Sequence, residues 1–494
     1  MNMKLHLLPL FFTLLLSTMT TALAAASTLD LALEKIIQQQ GLGGDPSLGR
    51  QLPSIDTPLA QLGKLLFFSK ALSGQMDTAC ASCHHPLLGG GDGLSLPIGV
   101  EAQDPDQLGP GRRHSTKGER YDGSPPVPRN APTTFNIALW DQVLFHDGRI
   151  ESLGKQPGAG GSAGGIRTPD TFYNTADPLA GDNLVEAQAR FPVTSEVEMR
   201  SFSFMRGESN EIVRQHLVQQ LSEPQGDTPA EQWLQAFRSG FQQPQGDAET
   251  LITFDNISHA LASYQRSQLF VDTPWRAYVQ GDRLALSEAA KKGALLFFNS
   301  YQQQGAHCAA CHRGDFFTDE QFHTIALPQI GRGQRIGAGG NADFGRFAIS
   351  KNPADRYAFR TPTLLNVEVT SPYGHDGAYT TLEGIVRHHL NPEQAVANYD
   401  TTQLDKNIDT TNLTRHTRKA LNKLKYQRRH ANGKPVLRDV ALSDQQVDQL
   451  LAFLQALTDP CVKTPACLAT WIPPAEGDNS PLLLLKPFVL TPKD

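Results

Sequence analysis

Long apolar runs are scarce in this chain of 494 residues. Beyond the first two dozen positions none approaches the ~20 residues that a membrane-crossing helix needs, which excludes a span there. An excess of one charge is also wanting: 44 Lys and Arg stand against 50 Asp and Glu, a net of −6. That balance argues against nucleic acid as a partner and leaves room for a basic or neutral one. Cysteine is rare, six in all, so each has to be accounted for. Methionine is rarer still where it matters. After the first 24 residues only Met76, Met199 and Met205 remain, so the second half offers no thioether sulfur to a metal.

What is present begins with an export signal. Lys4 gives a basic start, Leu7 to Leu16 an apolar run and Ala22-Leu23-Ala24 a small-residue cleavage pattern. This predicts a secretory leader, residues 1–24, removed on passage to the periplasm. The apolar tail from Leu482 to Leu485, broken by Lys486 and Pro487, is too short to span and is expected to dock on the protein surface.

The pattern that organises the rest is Cys80-Ala81-Ser82-Cys83-His84, repeated as Cys308-Ala309-Ala310-Cys311-His312. Two thiols three apart can add to the two vinyl groups of a haem, and the histidine beside the second thioether can reach the iron. A four-thiol zinc site would require neither histidine, and an exported chain meets no thiol-buffered cytosol, so zinc and dithiol redox are the weaker alternatives. Two covalently bound c-type haems are expected, with His84 and His312 as iron ligands. The remaining Cys461 and Cys467 are read as a disulfide, worth roughly 2 kcal/mol in the chain-entropy model.

The two motifs sit in a larger echo. Gly63-Lys64-Leu65-Leu66-Phe67-Phe68 returns as Gly293-Ala294-Leu295-Leu296-Phe297-Phe298, each just before its cysteines. Pro132-Thr133-Thr134-Phe135-Asn136 leading to His146-Asp147-Gly148 returns as Pro362-Thr363-Leu364-Leu365-Asn366 leading to His375-Asp376-Gly377. The expected fold is mainly α, two cytochrome c-like haem domains related by internal duplication, with long loops. The expected division is leader 1–24, an N-terminal haem domain 25–268, a C-terminal haem domain 269–480 and a tail 481–494, with Pro274 breaking the pattern at the boundary. A Gly-rich insertion, 153–182, has no hydrophobic period and reads as a long loop, either a surface excursion or a lid or docking surface.

Taken with Arg129-Asn130-Ala131-Pro132-Thr133, Phe145-His146-Asp147-Gly148-Arg149, Gln188 to Met199 and Pro372-Tyr373-Gly374-His375-Asp376-Gly377, these motifs resemble the bacterial di-haem cytochrome c peroxidases and MauG. The resemblance covers roughly residues 56 to 458 and implies that hydrogen peroxide reacts at the N-terminal haem while the C-terminal haem relays electrons. It places the distal acid–base group at Glu198, with Gln188 and Pro192 beside it. It also places a calcium ion between the domains, held by Asn130 and the carbonyls of Thr370 and Pro372, a donor set that suits calcium.

Three positions depart from the family pattern. Val100 stands where many members have a loop histidine that blocks the first iron until half reduction. His146 stands where a tryptophan usually lies between the haems. His389 stands where the second haem has methionine in the peroxidases and tyrosine in MauG. Periodicity supports His389 independently, since Leu382, Ile385, Val386 and His389 share one helix face while His388 points about 100° away. The function expected is a periplasmic peroxidase whose reductant is a small cytochrome c or cupredoxin. The alternative is a MauG-like enzyme that uses peroxide to oxidise side chains of a partner protein. A non-catalytic di-haem electron carrier is the third reading, against which the Gln188 and Glu198 pair argues.

Overall fold

The computed structural model describes residues 27–223, 229–334, 341–431, 435–474 and 482–488. The predicted leader lies outside them. The described chain is mostly helical, and no described helix is long and apolar enough to cross a membrane.

In the first half Thr57 caps helix Pro58–Phe68 by accepting from the Ala60 N–H, and Pro58 takes the first turn, where its missing N–H costs nothing. This helix packs on Phe254–Arg266 so closely that a Cβ at Gly63 would stand 1.9 Å from the Ala260 carbonyl oxygen. Around the pair Leu66, Phe67, Trp233, Phe237 and Tyr264 form a buried core. The second half builds the same unit. Ser287 caps Glu288–Phe298, which packs on Asp444–Gln455, and a Cβ at Gly293 would stand 1.9 Å from the Gln449 carbonyl oxygen. Trp275, Phe297 and Phe453 fill that core. The first helix of each pair precedes a 3-10 turn that opens the cysteine motif, Cys80–Ser82 and Cys308–Ala310, with Cys83 and Cys311 capping the turns.

Pro274 is more than a breaker at the boundary: it opens helix Pro274–Val279 under a Thr273 cap. Just before it, the Phe270 carbonyl receives the amide N–H groups of both Asn136 and Asn366, each at 2.9 Å. The corresponding asparagines of the two echoed segments thus meet on one atom. A buried clamp also joins the halves, Arg129 holding Asp343 at 2.7 and 2.8 Å and Asp147 at 2.6 Å. Beside it Arg346 reaches Glu151 at 2.5 Å.

Short strands complete the frame. Val143–Leu144, Ile150–Ser152 and Ile166–Arg167 form an antiparallel sheet, with His146 in the turn between the first two. Phe322–His323 pairs with Phe359–Arg360. The Gly-rich insertion is a loop apart from the third strand, and it is tied down: the Gly158 and Gly160 N–H groups donate to Asp141, each at 2.8 Å, and Arg50 grips the same carboxylate. Cys461 and Cys467 are joined as a disulfide. The apolar tail docks as expected, and on the other half. Ser69 Oγ donates to the Leu482 carbonyl at 2.6 Å, and the Lys70 and Leu485 N–H groups bond to Leu483 and Phe68.

Candidate active site

The free thiols come first. Cys80, Cys83, Cys308 and Cys311 are unpaired although each two stand in one turn. Burial pushes the Cys80 and Cys308 thiols up to about 12, which disfavours an attacking thiolate at either. The adjoining histidines share one geometry. His84 Nδ1 lies 3.1 Å from the Gly90 carbonyl oxygen and His312 Nδ1 lies 3.2 Å from that of Phe317. Spending Nδ1–H on a backbone carbonyl fixes the tautomer and leaves Nε2 as a lone-pair donor, the arrangement of a metal-bound imidazole.

His389 completes a set of three. Its Nδ1 donates to Ile385, one turn back on helix Leu382–Leu390, at 2.8 Å. Its ring centre lies 6.4 Å from that of His312. Two metal–imidazole bonds of about 2 Å, extended to the ring centres, span about 6 Å, so the pair is spaced to hold one iron between them. His388 has both nitrogens engaged, accepting from the Tyr379 hydroxyl at 2.9 Å and donating to the Ile325 carbonyl at 2.8 Å. That bond also occupies Tyr379, the alternative oxygen ligand.

Near the first motif, Gln188 lies in the last turn of helix Leu184–Ala189, Pro192 opens the 3-10 turn Pro192–Thr194, and Glu198 rides a π turn, Glu196–Arg200. Single π turns recur at functional sites. The Ser195 carbonyl gathers the N–H groups of Glu198, Met199 and Arg200, which pins that turn. Gln188 Oε1 is buried without a hydrogen-bond partner among the described residues. The Glu198 side chain keeps 28% of its surface and faces Arg149 Nη2 at 3.9 Å. Burial raises its pKa, Arg149 opposes and Asp147 adds to the rise. A carboxyl so placed can hold a proton and give it up, the property a general acid–base group needs.

The loop after the first motif is fixed. Arg112 donates to the carbonyls of Ile98 at 2.7 Å, Gly99 at 3.1 Å, Pro105 at 3.0 Å and Gln107 at 2.8 Å. A Cβ at Gly99 would stand 2.4 Å from the Glu198 carbonyl oxygen, and Val100 is fully buried against the same turn. Between the halves His146 donates Nε2–H to the Asn130 carbonyl at 3.1 Å. Burial, then Arg129, Arg360 and His375, hold its pKa down to about 3, so it stays neutral.

Asn130 and Thr370 meet at a cavity of about 10 Å³, room for one water-sized particle. Pro372 does not line it. Asn130 spends its amide N–H groups on the Leu94 and Ser95 carbonyls, which leaves its oxygen as the remaining polar group. Asp92 lines the same cavity, 2% exposed, with one carboxylate oxygen unpartnered and burial pushing its pKa up to about 7. Oxygen donors with one carboxylate suit a calcium ion.

Residues 57–284 match the family model described as di-haem cytochrome c peroxidase. The MauG methylamine utilization protein of Methylorubrum extorquens is 30% identical over 375 residues, 74% of this chain and 79% of the relative. This chain belongs to the di-haem cytochrome c peroxidase and MauG family. The cytochrome c551 peroxidase of Pseudomonas aeruginosa is also 30% identical, over 75% of this chain and 82% of its own. The fold agrees with the diheme peroxidase BthA from Burkholderia thailandensis, with a TM-score of 0.52 and 22% identity over 84% of this chain and 89% of that one. As a family member the chain is a peroxidase-type oxidoreductase working with two haems, and the three carbonyl-oriented histidines and four free thiols fit that pair.

Sequence reasoning missed Arg149, Asp92, Arg112 and the Arg129 clamp. Arg149 lies three residues after His146 in Phe145-His146-Asp147-Gly148-Arg149, and its charge near Asp147 was the available signal. Asp92 opens the loop segment in which Val100 was noticed. Nothing local distinguished Arg112, whose partners are all backbone.

Proposed function

We propose that this chain is an exported peroxidase with two covalently attached haems, joined to Cys80 and Cys83 with His84 as iron ligand, and to Cys308 and Cys311 with His312 and His389. In this reading the two halves, 25–268 and 269–480, are copies of one duplicated unit, and calcium takes the cavity lined by Asn130, Thr370 and Asp92. Bound haem supplies the redox-active iron at which peroxide is reduced. The protein supplies proton traffic and shape. Glu198 takes a proton from one peroxide oxygen and returns it to the other, which leaves as water, while Arg149 steadies the carboxylate and Gln188 and Pro192 wall the site. Two electrons and two further protons complete the conversion of hydrogen peroxide to two waters.

The observation that carries this reading is Glu198, half-buried on a pinned π turn against a loop whose Val100 cannot ligate iron. The Glu198→Gln variant should keep both haems and lose about a hundredfold or more in the peroxide step, the reach of general acid–base catalysis. The oxidised parent should show one high-spin ferric signal in electron paramagnetic resonance. Two low-spin haems, with no reaction until half reduction, would overturn the reading. Val100 in place of the loop histidine favours the second reading, a MauG-like enzyme for which side chains of a partner protein take the place of a small cytochrome or cupredoxin as reductant.

A further inference from the structure

Helix Leu413–Arg429 carries seven Lys and Arg and neither Asp nor Glu, in a chain whose net charge is −6. Its apolar stripe is already used: Ala420 and Leu424, with Leu421, pack on Ala326, Tyr357 and Phe344. Three of the cations are also used. Lys423 donates to the Pro353 carbonyl at 3.1 Å, Lys425 pairs with Glu393 at 2.5 Å, and Arg428 grips Asp439 at 3.0 and 2.7 Å.

The other four, Arg415, Arg418, Lys419 and Arg429, are exposed and pair with no carboxylate among the described residues, and of these only Arg429 donates to a backbone carbonyl, that of Lys425 at 3.3 Å. With Asn422 and Tyr426 they fall at i, i+3, i+4, i+7, i+11 and i+14, one face of the helix. Tyr426, 56% exposed and stacked on His430, sits among them. Nearby, Arg356 lies over Phe344 and Phe347 at 4.9 and 4.7 Å, and Phe344 belongs to the cluster that the helix's apolar stripe packs on.

This arrangement costs the helix stability. Like charges at these spacings repel, and Arg415, Arg418 and Lys419 stand in the first turns, where the helix dipole disfavours cations and Asn412 offers no side-chain cap. Arginine around an exposed aromatic is the composition of a transient protein interface. A membrane-lying helix would need a free apolar face, and here that face is consumed by the fold. The location adds the last element. Glu393, paired with Lys425, belongs to helix Pro392–Ala397, which starts three residues after His389.

We infer that this face docks a small acidic redox protein, a copper protein or cytochrome, that delivers electrons to the second haem. Overall charge suggested a basic or neutral partner; the local face selects the opposite sign. The inference rests on the reading that His312 and His389 hold that haem. Each encounter oxidises the partner's metal centre by one electron, and two encounters with two protons balance one hydrogen peroxide reduced to two waters.

The holoenzyme with peroxide tests it against three donors: reduced plastocyanin, an acidic copper protein; reduced mitochondrial cytochrome c, a basic protein; and hydroquinone, small and uncharged. The plastocyanin rate should fall about tenfold or more as salt screens the face, and R415E/R418E/K419E should lower it about tenfold at low salt. Hydroquinone turnover and both haem spectra should stay unchanged, and cytochrome c should gain. The milder R415Q/R418Q/K419Q variant should fall between. A plastocyanin rate indifferent to salt or to both variants would overturn the inference. Should hydroquinone turnover be absent in the parent, the peroxidase reading fails on its own. Calorimetric titration of plastocyanin then decides the face, with weaker binding to the charge-reversed variant supporting it and equal binding overturning it. Flotation of the parent with phosphatidylglycerol vesicles, lost in the variant while plastocyanin binding persists, would assign the face to a membrane and overturn it.

Discussion

His389 and His388 are neighbours with opposite fates, and the difference lies in what each nitrogen touches. His388 is held at both ends, whereas His389 gives Nδ1–H to its own helix and keeps Nε2 free, 6.4 Å from His312 centre to centre. We propose that these two histidines would hold the second haem, which, without a soft sulfur ligand, would sit at lower potential than a histidine–methionine one. Near-infrared magnetic circular dichroism of the oxidised protein should show the bis-histidine band, and His389→Ala should lose it; a band that survives the substitution moves the ligand elsewhere. The proximity of His389 to His312 was legible in the sequence because helical phase set His389, and not His388, on the apolar face. Arg149 and Asp92 were not, because their meaning depends on Glu198 and Thr370, which only folding brings near.

At the scale of elements the two helix pairs are set by two glycines. Gly63 and Gly293 let backbone approach backbone, and a methyl at either would meet a carbonyl oxygen at 1.9 Å. Neither neighbour is a flexible tip that can swing aside, so Gly63→Ala and Gly293→Ala should each cost about 1–3 kcal/mol, the usual penalty of overpacking. Calorimetry of the two variants checks this, and an unchanged melting profile would show that the pairs tolerate separation. The echo of Gly63 to Phe68 in Gly293 to Phe298 made the first member of each pair legible. Their partners, Phe254–Arg266 and Asp444–Gln455, were not recognised as counterparts, since packing against a glycine asks only for a smooth face and leaves little trace in residue identity. The π turn Glu196–Arg200 was equally hidden, because five residues hold too little periodicity to distinguish it from an α turn.

At the scale of the whole molecule the halves are locked by charge as well as by apolar packing. Burial would raise the Asp147 and Asp343 carboxyls, but the Arg129 guanidinium more than offsets it and holds both below the ordinary carboxylate range. Groups depressed in this way stabilise the fold above their unfolded pKa near 4 and lose that contribution as pH falls toward the folded values. The parent should therefore lose resistance to urea below about pH 5. Arg129→Met should be weakened at pH 7, by about 3–5 kcal/mol for an uncompensated buried charge, and should lose little more on acidification, because its stranded carboxyls take up protons. A parallel pH dependence of the two proteins would refute the clamp. The docked tail has a consequence in time. Residues 482–488 leave the ribosome long after Cys80 to His84, yet they close over Phe68, and Phe488 meets His85 edge to face at 5.1 Å. The earlier-made half is thus closed over by a later-made segment, and its contacts around Phe68 and His85 are complete only once residues 482–488 have been added.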